Sequence, residues 1–157
     1  MNTRLPRVCE ESELVEFREG NRSFELHPEA LDAWKSMKFE AEEDGIVLEL
    51  VSAFRSVERQ REIVEAKRRK GLSYEEIFKV NAPPGFSEHH SGRALDLSTE
   101  GFAPLEEAFE RSEAFKWLCG NGGRFGFTLS YPRGNRYGIV YEPWHWLYRN
   151  RKEHPLR

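Results

Sequence analysis

Apolar residues recur at helical spacing across residues 28–43, where Leu31, Trp34, Met37 and Ala41 fall on one face, Pro28 suits a first turn and Asp44-Gly45 ends the pattern. Residues 46–54 are rich in β-branched and apolar side chains that alternate around Glu49, the pattern of a mostly buried strand, which stops at Arg55-Ser56. Ser56 suits the cap of a helix running to about Lys70, with Gly71 closing it in the left-handed conformation. Ser73-Tyr74-Glu75-Glu76 has capping-box spacing for a short helix that ends before Pro83-Pro84-Gly85. A short strand is expected over 93–97, and Ser112 caps a helix through Trp117 and Leu118 that Gly120, Gly122 and Gly123 terminate. Residues 127–131 and 138–148 read as two strands joined by Pro132-Arg133-Gly134-Asn135, a turn-forming cluster.

The order is helix, strand, two helices, strand, helix, hairpin. It fits an α+β domain with a small, mainly antiparallel sheet better than a regular βαβ succession. At 157 residues a single domain over 1–157 is expected. Residues 1–25 show the least pattern and are expected to be a mobile arm or an edge strand. The 13% aromatic content indicates that Trp and Phe do much of the packing.

With 24 basic against 27 acidic residues, the chain lacks the broad positive field that nucleic-acid binders use, so a nucleic-acid partner is excluded. The basic run Lys67 to Lys70 closes a predicted helix, where cations favour the negative end of its dipole. No run of about 18 apolar residues is present, and Met1 to Ser12 is polar and acidic with no apolar signal core, so no membrane segment is expected. As the chain stands, the expected location is the cytoplasm, or the cell envelope if an export signal has been removed. Cys9 and Cys119 read as free thiols rather than a disulfide framework, and a monomer is expected.

Two short segments hold most of the chemistry. In Ser87-Glu88-His89-His90-Ser91-Gly92-Arg93-Ala94-Leu95-Asp96, a His and an Asp that suit a borderline metal ion are joined by a loop and a strand; Gly92 permits the turn and Ala94 leaves room beside an ion. The second segment is Glu142-Pro143-Trp144-His145-Trp146. On a regular strand Glu142 and His145 would face opposite sides, but Pro143 cannot donate to a ladder and favours an edge or bulge that re-aims its neighbours, so both can point into one cleft. Trp146 reads as core or cleft-wall packing, and His27, His90 and His154 as incidental.

Together with an upstream Ser-Ala-Phe-Arg-Ser followed by Gln60, these ordered motifs resemble the VanY-type D-alanyl-D-alanine carboxypeptidases. That family lies within the zinc peptidase group that also contains the D-Ala-D-Ala dipeptidases and the hedgehog domain. The resemblance runs over about residues 46–148 and implies the α+β fold of that group. It further implies that His89, Asp96 and His145 hold one Zn2+, leaving the fourth tetrahedral position for water, as in catalytic sites. By the same resemblance Glu142 is the base, Arg55 stabilises the oxyanion beside the scissile carbonyl, and Ser87 and Gln60 line the substrate site.

The implied partner is a peptidoglycan stem peptide or its precursor, and the implied reaction is removal of the final D-alanine from a D-Ala-D-Ala terminus. Three alternatives stand beside it: an L,D-carboxypeptidase, a phage-type endopeptidase cutting between L-alanine and D-glutamate, and a non-catalytic zinc-containing binding module as in the hedgehog domain.

Overall fold

In a computed structural model, which describes residues 4–150, the chain opens with a hairpin of β1 (Val15–Glu19) and β2 (Arg22–Leu26) before α1 (Pro28–Glu43). There follow β3 (Glu49–Ser52), α2 (Val57–Arg69), α3 (Tyr74–Val80), β4 (Ala94–Ser98), α4 (Glu113–Asn121), β5 (Phe127–Leu129) and β6 (His145–Tyr148). A 3-10 turn, Glu88–Ser91, precedes β4. The hairpin is one sheet, and β3-β4-β6-β5 is the other; every pairing is antiparallel. This is the expected α+β class.

Local chemistry sets the helix ends. Ser56 accepts from the Arg59 N–H, and Ser73 with Glu76 completes the expected capping box. Gly71 closes the end of α2 at φ 97°, where a side chain would be strained. At α1, Pro28 occupies the first turn, and Ala30, Leu31, Trp34, Met37 and Ala41 are buried. Trp34 also couples helix to hairpin, because its indole N–H donates to Glu19 Oε1 at 2.6 Å while Lys38 pairs with the other oxygen at 3.0 Å.

β4 is buried along its whole length and lies at the centre of the larger sheet. Alternation sends Leu95 and Leu97 into a core shared with Leu50, Trp34, Met37, Leu118 and Trp146. Ala94, Asp96 and Ser98 therefore face the other way. A smaller cluster of Leu5, Tyr131 and Ile139 lies apart from the main core.

Three expectations are revised. The strand expected over 46–54 is confined to Glu49–Ser52. The second strand of the expected 127–148 hairpin begins only at His145; before it the backbone leaves the ladder, with Val140 N–H donating to the Lys79 carbonyl and Glu142 N–H to that of Tyr131. In place of a mobile arm or edge strand over 1–25, residues 15–26 form the separate hairpin. Ahead of it Leu5 is buried, and the N–H groups of Val8 and Glu11 donate to the carbonyls of Gly85 at 2.8 Å and His90 at 2.9 Å. His154 lies outside the described residues.

Because Trp34 fills the core and ties the hairpin to α1, Trp34→Ala is expected to cost about 3–5 kcal/mol, as for other large-to-small aromatic deletions. A urea titration measures this directly; a loss below about 1 kcal/mol contradicts the packing described.

Candidate active site

The register of β4 against β6 sets Asp96 directly opposite His145, on the face turned away from the core. His145 Nδ1 lies 3.1 Å from Asp96 Oδ1. On the other side of β4, β3 carries an irregularity between Leu50 and Ser52, so that Ser52 rather than Val51 stands opposite Asp96. Ser52 Oγ accepts from Arg55 Nη2 at 3.0 Å, and the same nitrogen is 4.0 Å from Asp96 Oδ2. Arg55, three residues past the end of β3, is thereby aimed back toward it.

His89 reaches the same point from the 3-10 turn. Ser87 Oγ accepts from the His89 N–H at 3.2 Å, starting the turn, and Gly92 ends it at φ 70°. A Cβ on Gly92 would lie 2.9 Å from Leu14 Cδ2 and 3.1 Å from the His27 nitrogen, so the glycine is required by space as well as by backbone conformation. His89 Nε2 faces Asp96 Oδ2 at 3.1 Å, while its Nδ1 is 2.7 Å from the Ala53 carbonyl. The donor atoms of His89, Asp96 and His145 all lie within 4.8 Å of one another, and all three residues are buried.

Glu142 joins the group through a turn rather than a strand. The His145 N–H donates to the Glu142 carbonyl at 3.3 Å, with Pro143 and Trp144 between them, and this brings Glu142 Oε1 to 3.9 Å from His145 Nδ1. The odd spacing thus poses no conflict, since only His145 belongs to the strand. Burial pushes the Glu142 carboxyl up to about 7, helped by Asp96 and Glu88 and opposed by His145 and Arg55.

Of the remaining expected site residues, Arg55 and Gln60 are held together. Gln60 Oε1 accepts from Arg55 Nη1 at 3.0 Å, and its amide nitrogen donates to the Ala82 carbonyl at 2.8 Å. Both ends of this buried amide are engaged, so Gln60 acts on the guanidinium. Burial lowers the Arg55 pKa while Asp96 counters it, and a guanidinium stays charged in any case. Ser87, Arg55, Gln60, Glu142, Trp144 and the three clustered donors line one cleft of about 260 Å³. A more open depression of about 430 Å³ beside α1 contains none of them.

The structure adds residues that the sequence did not single out. Glu88 Oε1 lies 2.8 Å from His145 Nε2 and accepts from Ser130 Oγ at 2.6 Å. Tyr131 packs its ring 4.8 Å from that of His145, and burial together with the Glu88 and Glu142 charges raises its phenol. Burial would lower His145, but hydrogen bonds to Asp96 and Glu88 outweigh it and raise the imidazole to about 10. Burial would raise Asp96, yet the two histidines hold it well below the usual carboxylate range.

His90 is fully buried, not incidental: its Nδ1 is 2.7 Å from the Arg55 carbonyl and its Nε2 accepts from the Gly85 N–H at 3.1 Å. His27 caps α1, accepting from the Glu29 N–H. No local signal separates these from surface histidines; their partners lie far away along the chain or in backbone atoms. Trp146 is in the main core, with its indole N–H donated to the Pro143 carbonyl at 3.0 Å.

Comparison with known proteins agrees with this geometry. Residues 23–151 match the family model described as VanY, D-alanyl-D-alanine carboxypeptidase. YodJ of Bacillus subtilis (strain 168), whose carboxypeptidase name is provisional, is 35% identical over 94% of this chain, which spans 57% of that relative's length. The solved structure of the LdcB LD-carboxypeptidase has a TM-score of 0.79 and 34% identity, covering 92% of this chain and 71% of that one. A vancomycin resistance D,D-pentapeptidase VanY, solved in complex with Zn(II), has a TM-score of 0.69 and 28% identity, covering 88% and 79%.

Among the described residues no helix is long and apolar enough to cross a membrane.

His90→Ala removes a buried bridge and leaves the Gly85 N–H and the Arg55 carbonyl without it. The expected loss is about 1–3 kcal/mol, read from chemical denaturation; an unchanged midpoint contradicts a structural role for this side chain.

Proposed function

This chain belongs to the VanY family of D-alanyl-D-alanine carboxypeptidases, and on that premise we propose that it is a zinc-dependent carboxypeptidase removing the terminal D-alanine from peptidoglycan stem peptides or their precursors. The observation that carries the reading is the state of the two histidines. Each has one ring nitrogen occupied by an acceptor, Ala53 O for His89 and Glu88 Oε1 for His145, and turns the other toward Asp96. Two imidazoles and a carboxylate that converge with their outer nitrogens hydrogen-bonded suit a zinc site with one position left open.

Zinc in this cleft would act as a Lewis acid on the scissile carbonyl and lower the pKa of a water. The remaining work falls to the protein. Glu142 is placed to take a proton from a water in the cleft and to deliver it to the leaving amine. Burial, with Asp96 and Glu88 and against His145 and Arg55, raises the Glu142 carboxyl to about 7, and a bound dication would favour the carboxylate, so that the base would be ready at neutral pH. Arg55, fixed by Ser52 and Gln60, faces the negative charge that develops on the carbonyl oxygen.

The free carboxylate of a peptide end has a matching cation. Gln60, Val64 and Lys67 follow one stripe of α2, and Lys67 lines the cleft near Arg55, which lowers its pKa together with burial. Among the described residues no carboxylate is paired with Lys67, whereas Arg55 has Asp96 at 4.0 Å. Lys67 lies in the last turn of α2, as expected of a helix-end charge, and carboxylate recognition is an added role for it.

A second reading has its own support. The likeness to the LdcB LD-carboxypeptidase favours an L,D-bond in a tetrapeptide. Mass analysis of products from a D-Ala-D-Ala pentapeptide and from the tetrapeptide decides between them: loss of one alanine from the pentapeptide supports the D,D reading, and loss only from the tetrapeptide replaces it.

Glu142→Ala is expected to keep one zinc per chain and lose about 10²–10⁴-fold in kcat, while His89→Ala loses the metal; zinc-loaded wild type as inactive as Glu142→Ala on every D-Ala-terminated peptide would turn the reading toward a binding module. Lys67→Met is expected to raise KM about tenfold for a free-acid peptide, an effect of about 1.4 kcal/mol. It is expected to leave the C-terminal amide unchanged, and equal losses on acid and amide would contradict the assignment.

A further inference from the structure

We infer that Glu88, held in place by Ser130, is the positioning residue that makes His145 a metal ligand through Nδ1. The inference rests on the zinc reading of His89, Asp96 and His145.

An imidazole can ligate only through a nitrogen that carries no hydrogen, and the partner of its other nitrogen selects which one that is. The two histidines meet this requirement differently. His89 gives its Nδ1 hydrogen to the Ala53 carbonyl at 2.7 Å, an acceptor fixed by the backbone. For His145 the acceptor is a side chain, Glu88 Oε1 at 2.8 Å from Nε2. A carboxylate oxygen accepts, so Glu88 keeps a hydrogen on Nε2, and Nδ1 is the nitrogen turned to the side where Asp96 Oδ1 lies at 3.1 Å and free to give up its hydrogen in favour of an ion there.

A glutamate has rotatable bonds that a carbonyl lacks, and Ser130 removes that freedom. Its hydroxyl donates to the same Glu88 oxygen at 2.6 Å. The 3-10 turn, the residue just past β5 and the start of β6 therefore converge on one oxygen atom. Glu88 precedes a ligand in the chain yet serves the other histidine, across 57 residues. Its task is distinct from that of Glu142, which lies on the Nδ1 side of the ring.

The test compares Glu88→Ala, Glu88→Gln and Ser130→Ala with wild type, reading zinc affinity by competition with a chromophoric chelator. Glu88→Ala is expected to bind zinc about 10–100-fold more weakly, and excess zinc is expected to restore most of its activity. Glu88→Gln retains an acceptor and is expected to fall between Glu88→Ala and wild type, and Ser130→Ala to lose about threefold to tenfold.

Nitrogen NMR of the zinc-loaded wild type is expected to show His145 with its hydrogen on Nε2. Zinc affinity of Glu88→Ala within threefold of wild type overturns the inference. So does normal zinc binding with activity as low as that of Glu142→Ala, which would make Glu88 catalytic. If Glu88→Ala does not fold, an undiminished affinity in Ser130→Ala overturns it. Failure of the wild type itself to bind zinc instead removes the zinc reading.

Discussion

Asp96 and His145 meet because the pairing of β4 with β6 must satisfy two faces at once. On one face Leu95, Leu97 and Trp146 enter the main core; on the other, Asp96 and His145 stand side by side. A slip by one residue would carry Asp96 into that core and expel the leucines, leaving a buried charge without its partners at a cost of several kcal/mol. The apolar core therefore enforces the polar site. The irregularity in β3 belongs to the same constraint, since it lets Ser52 face Asp96 and anchor Arg55 although Leu50 keeps its place inside.

Adjacent histidines then tie the turn to the strand end. His89 and His90 bond to the carbonyls of Ala53 and Arg55, two residues apart, and the Arg55 N–H returns a bond to the His89 carbonyl. A ring turned toward Asp96 and a purely structural ring stand side by side on one short segment, each fixing the backbone that bears the arginine. The cleft that results is lined by Arg55 and Lys67 together with Glu88, Asp96 and Glu142, with Arg55 Nη2 4.0 Å from Asp96 Oδ2.

How much of this was legible depended on whether a signal is local. Capping residues and helix stripes lie within a few positions of what they organise, and the helices and β4 follow from them, whereas the gathering of His89, Asp96, Glu142 and His145 was implied by the resemblance of ordered motifs to a known family. Pro143 was rightly seen to break the ladder, but the strand starts later than its residue preferences suggest, because a turn and bonds to Lys79 and Tyr131 take its first half. Glu88 looks like any exposed glutamate until β6 and β5 bring His145 and Ser130 to it. Lys67 reads as a helix-end charge until the cleft opens beside it. His90 and the early residues escaped for the same reason: their partners are backbone atoms, which leave no mark in composition.

The segment ahead of the hairpin illustrates what such partners imply. Val8 and Glu11 hold the loop that carries Gly85 and His90 through their own main-chain N–H groups. Side chains add to these bonds: Leu5 is buried, Glu10 Oε1 accepts from the Val57 N–H at 2.7 Å and Glu11 Oε1 from Arg93 Nη1 at 3.1 Å, so the strap constrains both the path of the chain and its side chains. The match to the family model begins at residue 23, after this strap. The border of that model and the border of the described fold are different places, and trimming the chain to the first would cut away support for the second.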